Sequence, residues 1–439
     1  MPDSIPFNTQ HITRAVTDFG ESRTLTLTQA LYTSQGVKLL DAGAPINRSV
    51  YDRLMQYPLS APIEDLLSGA DPATGKSMRR LATQLLDHVP FLGRMAPDMP
   101  ARNTLLDAVE HLPLPAPLAF LLTLAQETRP GLYRHAVITA LVAAWLVQGP
   151  GVTRYDIGLA AAGGLFHDMG MLYLAPELHD DAMDFSAEQR RQLYAHPLIS
   201  KLLLERQHPF PPQLAQAVAE HHEYLDGSGY PGHLPAGHIS PLGQTLAIAE
   251  VVSSVLKEGL PHDELHLSVL LRMNQHRFHL PQVQKVMQLL RPGIAPHLTQ
   301  VAVLKDPCAR LLELNGLLGR WPGIERVGDG MDRQRPVEWA PLASQVERLR
   351  RTFPQVGIAP DQLTLLSTEP LDSFLIAELS LVARDAAWQL RSLARQSQRR
   401  WRHQAPSTVP PALQQWLDEV DQVIRHDSID PPSSSQPAC

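Results

Sequence analysis

Thr24-Leu25-Thr26-Leu27-Thr28 alternates polar and apolar residues, the period of a half-buried strand. Ser34-Gln35-Gly36 then supplies a turn and Val37-Lys38-Leu39-Leu40 a partner strand, closed by Asp41-Ala42-Gly43. Before about Gly20 no period is visible, so that segment reads as irregular, and Ile46 to Gln56 reads as a short helix. Together these predict a small α+β module over residues 1–99. From Ala101 the apolar period lengthens to that of helices. Leu118 to Gln126, Ala136 to Val147 and Asp156 to Phe166 are Leu/Ala-rich with few polar interruptions and read as core helices. Ser186-Ala187-Glu188-Gln189 fits a capping box opening a helix to about Leu204. Leu214, Ala217, Val218 and His221 share one helical face, and Gln244 to Leu256 is apolar except for Glu250. The expected fold class is mainly α. A helical bundle spans residues 100–305, a helical extension 306–430, and a Pro/Ser-rich disordered tail 431–439.

Composition narrows the class. Hydrophobic content of 44% and charged content of 19% are ordinary for a globular chain. The net charge of -7 argues against a nucleic-acid polymer as partner, since such binders present basic surfaces. Cys308 and Cys439 give no disulfide framework and fit a reducing cytoplasm, the expected location. Ala136 to Val147, the longest apolar stretch, is shorter than the about 20 residues that span a bilayer, so no membrane span is expected. Gly75-Lys76-Ser77 looks like the end of a phosphate-binding loop. Gly69, however, lies one residue too far upstream and no strand is evident before it, so that reading is rejected.

The candidate chemistry lies in His135, His167, Asp168, His196, His221, His222 and Glu250, which recur mostly at intervals of about 25–30 residues, one helix plus one connection. Antiparallel helices with that repeat can deliver ligands to one spot in a bundle core. Imidazoles with a few carboxylates suit Fe, Mn or Zn rather than Ca or Mg. A carboxylate such as Asp168 can bridge two metals, which together stabilise the attacking and leaving oxygens of a phosphoester.

His167-Asp168 at a helix end, then His196-Pro197, then His221-His222-Glu223 with Asp226-Gly227-Ser228-Gly229-Tyr230-Pro231, resembles the HD-GYP family over Ala116 to Leu290. That family is a branch of the HD superfamily of helical metal-dependent phosphohydrolases. The resemblance implies a phosphodiesterase that hydrolyses cyclic di-GMP to the linear dinucleotide or to GMP, with two divalent metals, Fe or Mn, as cofactors. It implies metal ligands at His135, His167, Asp168, His196, His221, His222 and Glu250, with His167 and Asp168 as the catalytic pair. Gly229, Tyr230 and Pro231 would lie at the substrate, with Tyr230 shaping the loop rather than acting as an acid.

The departures carry information too. The family's His-Asp-x-Gly-Lys stands here as His167-Asp168-Met169-Gly170-Met171, and methionine cannot give phosphate a charged hydrogen bond. Glu250 takes the usual place of an aspartate. The arginine-containing segment expected after it is replaced by Val251-Val252-Ser253-Ser254-Val255-Leu256, with Lys257 as the nearest cation. Gly131 stands where some members carry a glutamate for a third metal, which favours two. Three readings therefore stand: a cyclic di-GMP phosphodiesterase, a weakly active or inactive module that binds nucleotide or a protein partner, and a general phosphomonoesterase. The Arg-rich helix over Leu371 to Arg402 has a second face with Leu381, Trp388 and Leu390, suited to packing on a domain, a partner or a dimer mate.

Overall fold

The structure, a computed structural model, describes residues 9–69, 72–179, 185–207, 209–256, 260, 263–292, 303–324, 339–356, 359–368, 370–401 and 410–425. The expected tail 431–439, together with Lys257 and Arg402, lies outside the described residues. Helix is the dominant element, as the periodicity predicts, with a few short strands confined to the N-terminal module. The described residues divide into two compact units, one formed by residues up to 256 with 276–289, the other by 260–275 with 290–425.

The N-terminal module differs from its expected form in two ways. Residues Gln10–Ser22 form a helix (α1), whose Ile12, Val16 and Phe19 are buried. Threonines at 13 and 17 break up the apolar spacing in the sequence, yet both are buried; Thr17 satisfies its hydroxyl on the backbone oxygens of Thr13 and Arg14. The second difference is strand pairing. Leu31–Tyr32 (β2), not the Thr24–Thr28 segment, pairs antiparallel with Lys38–Leu40 (β3). The turn between them is built on the Thr33 hydroxyl, which accepts from the backbone N–H of Gln35 and Val37. Thr26–Leu27 (β1) pairs instead with Leu67–Ser68 (β4), a strand too short to show a period. β4 does end just before Gly69, but the spacing to Gly75-Lys76-Ser77 remains wrong. Thr74 and Ser77 there form the capping box of helix α3 (Gly75–His88). The short helix expected from Ile46 resolves as a 3-10 turn, Arg48–Val50, leading into α2 (Tyr51–Gln56).

The remainder of the first unit runs through α4 (Pro90–Met95), α5 (Met99–Glu110), α6 (Ala116–Thr128), α7 (Pro130–Leu146), α8 (Arg154–Phe166), α9 (Ala187–Leu193), α10 (His196–Glu205), α11 (Pro212–Ala219) and α12 (Pro241–Leu256). From His135 to Leu146, α7 is buried all round, as a helix apolar on every face must be. α8 packs closely on it because Gly164 has no side chain. A Cβ there would stand 2.6 Å from the Thr139 carbonyl. A capping box of Thr153 and Asp156 opens α8. The single helix expected from Ser186 to Leu204 is two: the Ser186 cap forms, but the chain breaks at Tyr194-Ala195. Pro197 cannot donate to the preceding turn and is tolerated only in the first turn of a new helix.

The second unit contains α13 (Asp263–Asn274), α15 (Pro307–Gly319) and the helices Trp339–Gln355, Pro360–Leu366, Ser373–Trp401 and Pro411–Arg425. α14 (Leu280–Leu289) belongs to the first unit. Trp321, Trp339 and Trp416 pack ring on ring in the second unit's core, at centroid separations of 5.9 and 5.2 Å. Leu381 and Leu390 are buried in that same core, so the apolar face of the Arg-rich helix is covered by the unit's own helices. Among the described residues no helix is long and apolar enough to cross a membrane.

Candidate metal centre

Helix ends place most of the candidate donors. His167 follows the last residue of α8, and Asp168 opens a 3-10 turn, Met169–Tyr173. His196 is the first residue of α10, and His221 and His222 stand just past the end of α11. His135 and Glu250 project from within α7 and α12. All seven converge. One group is His135, His167, Asp168 and Glu250, the other Asp168, His196, His221 and His222, each with its ligand atoms within 4.8 Å of one another.

Asp168 divides its oxygens between the two groups. Its Oδ2 lies 3.4 Å from His167 Nε2 and 3.6 Å from His135 Nε2. Its Oδ1 lies 3.2 Å from His196 Nε2 and 3.6 Å from His221 Nε2. Glu250 Oε2 completes the first group, 2.8 Å from His135 Nε2 and 3.0 Å from His167 Nε2.

Hydrogen bonds on the far side of the rings decide which nitrogen faces the centre. Nδ1 of His167 lies 2.8 Å from the Gly164 carbonyl, Nδ1 of His196 lies 2.7 Å from that of Leu193, and Nδ1 of His221 lies 2.6 Å from that of Val218. A carbonyl only accepts, so each Nδ1 carries a proton, and in the neutral ring Nε2 presents a lone pair. Two such lone pairs, on His196 and His221, are 3.2 Å apart, a separation that calls for a cation or a shared proton. Nδ1 of His222 is buried and has no hydrogen-bond partner. Imidazoles, two carboxylates and backbone carbonyls that fix three of the rings are the donor set and outer shell of a transition-metal site, so these residues fit divalent metal.

The charges of the metal-free cluster are tightly coupled. Burial opposes a charge on His167, but Asp168 and Glu250 outweigh it and raise the ring to about 10. His221 is lowered to about 4 by burial and by His167 and His196 beside it, although Asp168 pulls the other way. His222 is lowered well below the ordinary value, again chiefly by burial. Burial would raise Asp168 and Glu250; the imidazoles around them prevail and hold both well below the usual carboxylate range.

The Gly-Tyr-Pro segment buttresses this cluster. Tyr230 is 3% exposed, its ring stacked on His222 at 4.5 Å and on Tyr194 at 4.0 Å. The Tyr230 N–H donates to the His222 carbonyl at 3.0 Å. Gly229 is buried, and Pro231 is half-buried. Sequence reasoning assigned no role to several supporting residues. Glu223 accepts from the N–H of Gly232 and of Leu234, at 2.5 and 2.9 Å, and so ties down the returning chain. Glu220 accepts from the N–H and hydroxyl of Ser240, at 2.9 and 2.5 Å. Asp226 faces His276 at 3.5 Å and Arg277 at 3.7 Å. Thr139 bridges the His135 carbonyl and Ser253 beneath the site. Glu223 and Asp226 stand inside the motif and could have been suspected; the Ser240 partner of Glu220 and the Ser253 partner of Thr139 are too distant in sequence to leave a pattern. Met171 is half-buried, and its carbonyl accepts from Arg129 at 2.9 Å, so a cation sits at that turn but is engaged with backbone.

A match to the family described as "HD domain" covers residues 121–279, the stretch that contains every one of these donors. This segment is similar to HD domains. One curated relative of the chain is the "3'3'-cGAMP-specific phosphodiesterase 3" of Vibrio cholerae serotype O1, 23% identical over 211 residues. That alignment takes in 46% of this chain and 46% of the relative, so the chain spans about half the length of the protein it matches. Among solved structures, "Bd1817, a HDG"Y"P protein from Bdellovibrio bacteriovorus" aligns at 15% identity over 60% of this chain and 94% of its own, with a TM-score of 0.35. HD domains bind divalent metals, and the matched segment holds a His/Asp cluster able to do so.

Proposed function

We propose that the chain is a metal-dependent phosphodiesterase of cyclic dinucleotides, with cyclic di-GMP its first candidate substrate. The observation that carries this reading is the division of the Asp168 oxygens between two imidazole groups, three of whose rings are turned by backbone carbonyls so that Nε2 faces inward. His135, His167, Asp168 and Glu250 would hold one ion, and Asp168, His196, His221 and His222 the second, with Fe or Mn suited to this donor set. A metal pair held there supplies an activated nucleophile and stabilises charge on the phosphodiester. The chain's own part is to keep the rings aimed and the site dry: the Gly164, Leu193 and Val218 carbonyls fix three tautomers, and Tyr230 braces His222. With Met171 in place of the family's lysine, the charge on the phosphate would be met chiefly by the metals.

The name of the Vibrio cholerae relative favours a second substrate within the same class, 3'3'-cGAMP. A non-catalytic module binding nucleotide or a protein partner is the other alternative, and it rests on Met171 and on the missing arginine-containing segment after Glu250.

The test is turnover of cyclic di-GMP and 3'3'-cGAMP, side by side, by protein loaded anaerobically with Fe(II) or Mn(II), with metal content assayed in the same samples. Linear dinucleotide or mononucleotide is expected from the wild type. A His221→Ala, His222→Ala variant is expected to lose one ion and all product. Full metal occupancy with neither substrate cleaved would sink the phosphodiesterase reading.

A further inference from the structure

Glu64 lies in the 3-10 turn Ile63–Leu66 of the N-terminal module, far in sequence from every candidate donor, with its side chain 2% exposed. It meets two residues of the HD domain. The Tyr173 hydroxyl donates to its Oε1, and Arg206 Nη2 stands 3.4 Å from the same oxygen. Arg206 also reaches Asp65, at 3.7 Å. Burial raises the Glu64 carboxyl above its ordinary value, and the bonds from Tyr173 and Arg206 act against that.

The positions of those two partners matter. Tyr173 is the last residue of the 3-10 turn that opens at Asp168. Arg206 caps the C-terminus of α10, the helix whose first residue is His196. Glu64 therefore grips the far ends of two short rigid segments whose near ends present Asp168 and His196 to each other at 3.2 Å. The segments are also tied midway, where the Gly170 N–H donates to Ser200 Oγ at 2.8 Å. A buried carboxylate is an inefficient way to stabilise a fold, because removing it from water costs about as much as its partners return. What such a group does supply is a fixed relation between the segments it joins.

We propose that Glu64 is a positioning residue of the metal centre, setting the spacing between Asp168 and His196 through Tyr173 and Arg206. This rests on the metal-centre reading above. It makes the N-terminal module part of the site's support: the module contributes no donor but holds the frame on which two donors stand.

The experiment is Mn(II) titration of full-length wild type, Glu64→Gln, Tyr173→Phe and the double variant, followed by bound-metal assay, with urea unfolding of each metal-free protein alongside. Leu54→Ala, which removes a buried side chain of α2, a helix packed on α1 and on the 3-10 turn before it, serves as a control for stability loss. Each single variant is expected to bind Mn(II) about tenfold more weakly. The double variant is expected to be no weaker than the worse single one, since both break one linkage. The control is expected to keep wild-type affinity. Wild-type affinity in Glu64→Gln and Tyr173→Phe overturns the proposal while leaving the metal centre intact. An equal loss in Leu54→Ala overturns it too, because stability alone would then account for the effect. A wild type that takes up no Mn(II) overturns both this proposal and the reading beneath it.

Discussion

Gly229 shows how little room a single position has near this site. A Cβ there would lie 2.4 Å from the His222 carbonyl oxygen and 2.5 Å from the Tyr224 nitrogen, both backbone atoms that cannot swing aside. Gly229→Ala is therefore expected to destabilise the protein by about 1–3 kcal/mol in urea unfolding and to lower metal uptake through a displaced His222. Asp226 acts by charge rather than shape. Burial would raise its carboxyl, but His276, Arg277 and the Ser228 hydroxyl hold it well below the usual range. A depressed carboxylate contributes stability above its unfolded value of about 4 and loses it as pH falls through the folded value. Asp226→Asn is thus expected to cost most near pH 7, and the gap to wild type should narrow in unfolding curves taken below about pH 4. The sequence places Asp226 in the family-like motif but gives no sign of its charge partners, which arrive from about 50 residues further along the chain.

At the scale of elements, α7 illustrates support from both ends. Its C-terminal carbonyls are capped by Lys285 of α14, whose ammonium donates to Trp145 at 2.7 Å and Gln148 at 3.0 Å. Lys285→Met keeps the stem but removes these charged hydrogen bonds, and is expected to cost about 1.5–3 kcal/mol in unfolding measurements. The core helices α6, α7, α8 and α12 were legible because Leu and Ala runs report burial directly, whatever the topology. α1 was not, although Ile12, Val16 and Phe19 keep helical spacing, because Thr13 and Thr17 on its buried side read as polar. Nor was the β1–β4 pair, whose two-residue strands carry no period and whose register depends on contacts about 40 residues apart. The break between α9 and α10 was readable in principle from Pro197, but the Ser186 cap pointed to a single helix. The donors themselves stood out because a metal needs particular side chains. Their frame, Glu64 and Tyr173 included, uses ordinary ones.

For the whole molecule, the two units hold separate cores, one around α7 and one around the three tryptophans. Ligands that bind only the folded state raise stability in proportion to RT ln(1 + [L]/Kd), about 2.7 kcal/mol at a hundred times Kd. Metal held in the first unit should therefore move one unfolding transition and leave the other in place. Calorimetry with and without excess EDTA is expected to show a metal-sensitive step and a step indifferent to metal.

Asp168 gives its two oxygens to two different groups, and that has a consequence for how the ions load. An ion in one group withdraws electron density from the shared carboxylate and places a positive charge within a few ångströms of the other. The second ion then meets a poorer donor and a repelling neighbour. If two ions bind as proposed, loading would be anticooperative: a tight first equivalent and a looser second one, with a singly loaded state persisting over a broad range of metal concentration. A cell could tune the output of such a protein by modest changes in its free metal pool, without altering the protein itself.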